Sequence, residues 1–303
     1  MEKTSKLPTF LGIGAQRSGS TWLYKNLKQH PQIWLTPIKE IHFFDKPEGL
    51  KLTDKQYRRD ALRRIRENLI KVTKFSPPTY RDFQWDLHYF FKKRDLNWYK
   101  SIFRPNPRQI AGEVTPAYAV LDKEIVMEIY KLNPNLKIIF LMRDPIERAW
   151  SAVIRGLARE KRRRADEIPA EAILKKLYSN SFTMRGNYVR TLELWENIFR
   201  PEQIHIDFLD EIEQNPRGVL LRIYRFLEIS DDEKYIPVSV EEKKNSTDGY
   251  KIPIPPEIQL QLARTHLQHL ETLHQRFGGH TTNWLKRAQS IIDSIEISKE
   301  SAY

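Results

Sequence analysis

Phe10-Leu11-Gly12-Ile13-Gly14-Ala15-Gln16-Arg17-Ser18-Gly19-Ser20-Thr21-Trp22-Leu23-Tyr24-Lys25-Asn26-Leu27 carries the reading that decides the fold. An apolar run leads into a glycine turn, and a helical pattern with Leu23 and Leu27 on one face leads out. Such a strand, turn and helix brings backbone N–H groups to a point where an anion can sit. Gly14 to Thr21 follows the G-x-x-x-x-G-K-[ST] loop of nucleotide-triphosphate proteins except at one place: Ser20 stands where that pattern has lysine. The nearest cation in the loop is Arg17. A phosphate-like ligand is therefore expected, held by a different arrangement of charge from that of an ATPase. Gly14, Arg17, Ser18, Gly19, Ser20, Thr21 and Trp22 are the candidate contacts.

Outward from this loop, apolar runs alternate with helical patterns. Strands are expected at 10–13, 33–35, 110–114, 136–142 and 204–208, and helices at 124–132, 145–154, 188–199, 216–227 and 257–277. Leu136 to Met142 has the apolar, β-branched character of a strand covered on both faces. The alternation predicts an α/β fold, a parallel sheet flanked by helices, as one domain over residues 1–303. Residues 46–97 fit the alternation poorly and read as an insertion on the acceptor side, and 286–303 as a C-terminal tail. Tyr80, Phe83, Trp85, Tyr89, Phe90 and Phe91 in that insertion read as core, or as the wall of a substrate site.

Open parallel sheets bind ligands beyond the carboxyl ends of their strands. That rule puts Arg143-Asp144-Pro145, at the end of the fourth strand, on the same rim as the first loop, with Ser151 two turns into the following helix. An arginine and a hydroxyl there suit a second phosphate; alone, the segment is equally a helix start with an ion pair.

Among 303 residues there are no cysteines, which excludes disulfides and thiolate chemistry, and the formal charge is +12. The excess favours an anionic ligand or partner. Arginine runs at 58–66 and 155–164 read as solvated faces or as contacts for an anionic polymer. Neither is interleaved with stacking aromatics, so nucleic acid is not expected. No apolar stretch is long enough to span a bilayer, and the start of the chain leaves no room for a signal peptide, so a cytoplasmic location is expected.

The two loops, in this order, resemble those of sulfotransferases that use 3′-phosphoadenosine 5′-phosphosulfate (PAPS), with the P-loop-like fold of that family. The heparan sulfate branch and its bacterial relatives are the most similar. The resemblance extends through Lys39-Glu40-Ile41-His42-Phe43-Phe44-Asp45, Glu113-Val114-Thr115-Pro116-Ala117-Tyr118, and Gly186-Asn187-Tyr188 with Leu192 and Trp195. It implies that the first loop holds the 5′-phosphosulfate, that Arg143 and Ser151 hold the 3′-phosphate with Tyr188 nearby, and that Glu40 is the catalytic base. His42 is the competing base. PAPS is the implied sulfuryl donor and PAP the product, with no obligatory metal and an unidentified acceptor bearing a hydroxyl or amine.

Three departures stand out. Arg17 replaces a frequent lysine, and arginine stabilises charge without donating its proton. Val114 replaces another lysine. A lysine-glycine-arginine cofactor loop is missing; Lys243-Lys244 and the residues through Lys251 take its place, or form a polar surface loop. Asn245-Ser246-Thr247 has the form of a glycosylation sequon, unused without secretion. The absent membrane anchor points to a soluble, bacterial-type enzyme rather than a Golgi one. Two other readings remain: a P-loop kinase or NTPase, disfavoured by Ser20, and a non-catalytic anion- or glycan-binding module.

Overall fold

In the computed structural model, residues 7–46, 62–63, 78–161, 170–177, 179–242 and 253–300 are described. Five strands form one sheet: β1 (Phe10–Gly14), β2 (Ile33–Leu35), β3 (Ile110–Val114), β4 (Lys137–Met142) and β5 (Ile204–Phe208). Their order is β2-β3-β1-β4-β5, and every pairing is parallel. The five expected strands all form, within a residue of their predicted bounds.

β4 shows why the sheet is covered on both faces. Ile138, Phe140 and Met142 face one apolar cluster, and Ile139 and Leu141 face another. On the first face lie α4 (Lys123–Leu132), α5 (Pro145–Lys161), α8 (Tyr188–Glu196), α11 (Pro256–Phe277) and α12 (Gly279–Glu300). On the second lie α1 (Ser20–Leu27) and α10 (Pro216–Phe226). Helices α6 (Ala170–Leu177), α7 (Asn180–Met184) and α9 (Leu209–Gln214) fill the connections. Because α1 and α5 leave the neighbouring strands β1 and β4 toward opposite faces, the loops at their starts open a crevice at the switch point of the sheet.

A third cluster fills out the β2–β3 side. There α2 (Pro78–Phe91) and α3 (Leu96–Ser101) bring Trp85, Tyr89, Phe90, Trp98 and Tyr99 against Ile41 and Ala111. Of the aromatics named from sequence, Trp85, Tyr89 and Phe90 are therefore core, while Phe91 is 59% exposed. The arginine run at 58–66 falls almost wholly outside the described residues, as do Arg162 to Arg164 and the Lys243–Lys251 loop with its sequon.

Of the segment expected as a tail, residues 286–300 are helical. Gly278 and Gly279 turn the chain with φ of 59° and 50°, values that suit glycine, and α12 folds back on α11. Trp284, Leu285 and Ala288 are buried in the first cluster. No helix among the described residues is long and apolar enough to cross a membrane.

Candidate active site

The loop between β1 and α1 is shaped by its backbone. Gly19 adopts a φ of 94° as it leads into α1, and Arg17 also lies in the left-handed region, at 73°. No side chain caps α1, and its first turn holds no acidic residue. The N–H groups there are left for a ligand, in the positive field of the helix end.

Arg17 points across the crevice. Its Nε and Nη2 donate to Ser151 Oγ at 3.0 and 2.8 Å, joining the β1 loop to α5. From sequence Arg17 is expected at the phosphosulfate; in the structure its guanidinium lies on the Ser151 side. Burial, then the charges of Arg155 and Arg143, bring its pKa down to about 10. Arg155, visible in the sequence only as part of a charge run, thus belongs to the same field. Arg185, which sequence reading passed over, donates to Gln16 Oε1 at 2.8 Å.

Asp144 caps α5, accepting from Ile146 N at 2.8 Å. Glu147 pairs with Arg143 at 3.2 Å and with Arg287 of α12 at 2.6 Å, and Arg287 also reaches Asp144 at 3.2 Å. Tyr188 is buried and donates its hydroxyl to the Arg143 carbonyl at 2.9 Å, fixing the turn from which that arginine projects. Ser18 and Ser20 are buried in the loop, and Thr21 is half-buried. Trp22 is turned inward, its indole N–H donating to the Val240 carbonyl at 2.8 Å, so it ties α1 to the chain just before Lys243.

The third wall is the loop after β2. Glu40 and His42 have φ of 66° and 55°, and Ile41 between them is fully buried. Glu40 N donates to the Val114 carbonyl at 3.2 Å, Ile41 N to Thr115 Oγ1 at 3.1 Å, and Phe43 N to the Tyr118 hydroxyl at 3.1 Å. The motif containing Glu113 is therefore a mount for the motif containing Glu40. Glu113 itself is fully buried, accepting from Tyr99 at 2.5 Å, Thr115 at 2.9 Å and Tyr118 at 3.3 Å. Burial raises its pKa to about 7 against the pull of those hydroxyls.

Glu40 stands between Lys39 and His42. Lys39 Nζ lies 2.6 Å from Oε1 and His42 Nε2 lies 3.5 Å from Oε2, while His42 Nδ1 is 2.7 Å from Asp45. Burial pushes the Glu40 carboxyl up, but the His42 hydrogen bond and the Lys39 ammonium outweigh it and bring the pKa down to about 2. For His42 burial pulls downward, and the bonds to Asp45 and Glu40 win and raise it. An imidazole clamped between two carboxylates orients Glu40 better than it accepts a proton. Beyond this loop, Phe43, Phe44, Leu96, Ile125 and Leu132 line a cavity of about 460 Å³, with Arg94 and Lys131 among its polar members.

Comparison with known proteins agrees with this geometry. The profile of the sulfotransferase family matches residues 8–233. Heparan sulfate glucosamine 3-O-sulfotransferase 5 of Mus musculus is 24% identical over 231 residues, covering 74% of this chain and 54% of that protein. Membrane-associated sulfotransferase kil1 of Dictyostelium discoideum is 25% identical over 219 residues, 71% of this chain and 35% of that one. The chain thus spans about half the length of the mouse relative, and less of the other. Among solved structures, a sulfotransferase from Alicyclobacillus acidocaldarius superposes with a TM-score of 0.63 at 20% identity, covering 91% of this chain and 98% of that one. Mouse sulfotransferase SULT7A1 complexed with PAP gives 0.51 at 14% identity, covering 94% and 89%. These two likenesses are of fold. With its parallel sheet, its lysine-less phosphate loop and a family profile matching most of its length, the chain belongs to the sulfotransferase family.

Proposed function

We propose that this chain moves a sulfuryl group from PAPS to a hydroxyl or amine of an acceptor by in-line displacement, with Glu40 as the base. The observation that carries this reading is the contact of Arg17 with Ser151 across the crevice. It joins two anion-binding loops around one space, and Lys39 holds Glu40 at that space through Ser20. The residues fit a nucleotide with phosphates at both ends of its ribose. The uncapped start of α1 and the Ser18–Thr21 donors suit the 5′-phosphosulfate, and Arg143, Ser151 and Arg17 suit the 3′-phosphate. Arg17 is depressed by burial first and then by the charges of Arg155 and Arg143, and an anion between these guanidiniums would offset both.

Sulfuryl transfer needs a base for the acceptor proton, cations near the leaving phosphate, and alignment. Glu40 is the ionised carboxylate held at the rim, and His42 is its positioning partner. The acceptor approaches from the Phe43–Phe44 side, where apolar walls with Arg94, Lys131 and Glu128 among them suit a polar group on an apolar or sugar body.

Calorimetric titration with PAP and, separately, with ATP and magnesium tests the donor. PAP is expected to bind in preference, and preference for ATP with magnesium would sink the proposal. Glu40→Gln is expected to bind PAP normally and to lose about 10²- to 10⁴-fold in turnover of labelled PAPS. His42→Asn is expected to lose less; the reverse order would move the base to His42.

A further inference from the structure

Lys39 lies where the phosphate loop and the base meet. Its ammonium is 3.2 Å from Ser20 Oγ and 2.6 Å from Glu40 Oε1, on a side chain 17% exposed. Ser20 fills the position that lysine holds in nucleotide-triphosphate loops. Arg17, the cation within the loop, directs two of its donors away from that position, to Ser151. An ammonium has three donors, and Ser20 and Glu40 engage two of them.

We propose that Lys39 supplies, from the loop after β2, the ammonium that the phosphate loop lacks, turning from Glu40 to the donor's phosphosulfate as the nucleotide binds. The inference rests on the sulfuryl-transfer reading of this site. In the free protein Lys39 and Glu40 neutralise one another. A polyanionic donor draws the ammonium away, and Glu40 keeps only His42 as a cationic partner. The carboxylate gains proton affinity once the donor is seated, so base strength is coupled to donor occupancy.

In the transfer step the acceptor oxygen bonds to sulfur, and the acceptor proton passes to Glu40. The bond from sulfur to the bridging oxygen breaks, its electron pair staying on the 5′-phosphate of PAP. Lys39 keeps its proton and stabilises the charge developing on that phosphate. Glu40 then releases its proton to solvent, and the ion pair re-forms. Lysine suits this exchange because its compact charge rides on a flexible stem with rotatable donors, whereas a guanidinium is bound to one plane.

The test compares Lys39→Met and Lys39→Arg with the wild-type chain by PAP calorimetry, by turnover, and by the pH profile of kcat/KM. Lys39→Met is expected to bind PAP about tenfold more weakly and to lose about 10²-fold in kcat. Its acid limb is expected to move to higher pH, because Glu40 has lost a cation. Lys39→Arg is expected to recover PAP affinity and only part of kcat. If Lys39→Met melts early, Lys39→Gln carries the same comparison. PAP affinity within twofold of wild type in the uncharged variant overturns the proposal, since Lys39 then serves Glu40 alone. A wild-type chain that binds ATP with magnesium and not PAP overturns the sulfuryl-transfer reading itself, so the two failures are distinct.

Discussion

Glu113 shows how a residue can shape the site without facing it. Its carboxyl takes hydrogen bonds from Tyr99, Thr115 and Tyr118, and two of these hold the loop of Glu40 through Ile41 N and Phe43 N. Burial raises its pKa from the ordinary 4.5 to about 7. Between those values the folded chain keeps a proton that the unfolded chain has released. Stability from this group is therefore full below pH 4.5 and is lost as pH rises to about 7. Glu113→Gln keeps an acceptor for Tyr99 and removes the titration. Its melting temperature is expected to fall less steeply between pH 5 and pH 7.5 than that of wild type, by about the share of one group. Thermal melts across that range check it; an unchanged slope would mean that Glu113 titrates alike in both states.

At the scale of elements, α12 reaches the proposed donor site through Arg287. Asp144 is buried at the start of α5 with Arg287 against it, and Glu147 is shared between Arg143 and Arg287. Arg287→Ala leaves Asp144 without its cation and lets Glu147 hold Arg143 undivided. The expected cost is about 1–2 kcal/mol in denaturant unfolding, between surface and buried ion pairs. PAP affinity is expected to drop several-fold, and unchanged affinity would confine Arg287 to stability. None of this was legible in the sequence, where residues 286–303 read as a C-terminal tail. The strands were legible because Lys137 to Met142 and its partners are short apolar runs between clear breaks. The turns after β1 and β4 were legible for the same reason, since glycine and proline mark them. The Lys39–Ser20 contact was not, because it depends on left-handed backbone at Glu40 and His42, which no glycine announces.

For the whole molecule, the charge of +12 has a definite place to act. Arg143 and Arg155 bear on the buried Arg17 at the crevice, and Arg148 is fully buried beside Phe182, its Nε and Nη1 without hydrogen-bond partners. The crevice thus carries concentrated positive charge that water and salt screen only in part. Such repulsion weakens as the Debye length shrinks from about 10 Å at 0.1 M to about 3 Å at 1 M salt. Raising sodium chloride is therefore expected to increase the melting temperature of the free chain. Saturating PAP stabilises by mass action, about 2.7 kcal/mol at a hundredfold excess over Kd. Salt competes with that binding, because the ligand and the added anions satisfy the same cations. The gap between PAP-bound and free melting temperatures is accordingly expected to narrow steadily from 0.05 to 0.5 M salt at fixed PAP. A gap that ignores salt would show that the arginines are already neutralised within the free fold.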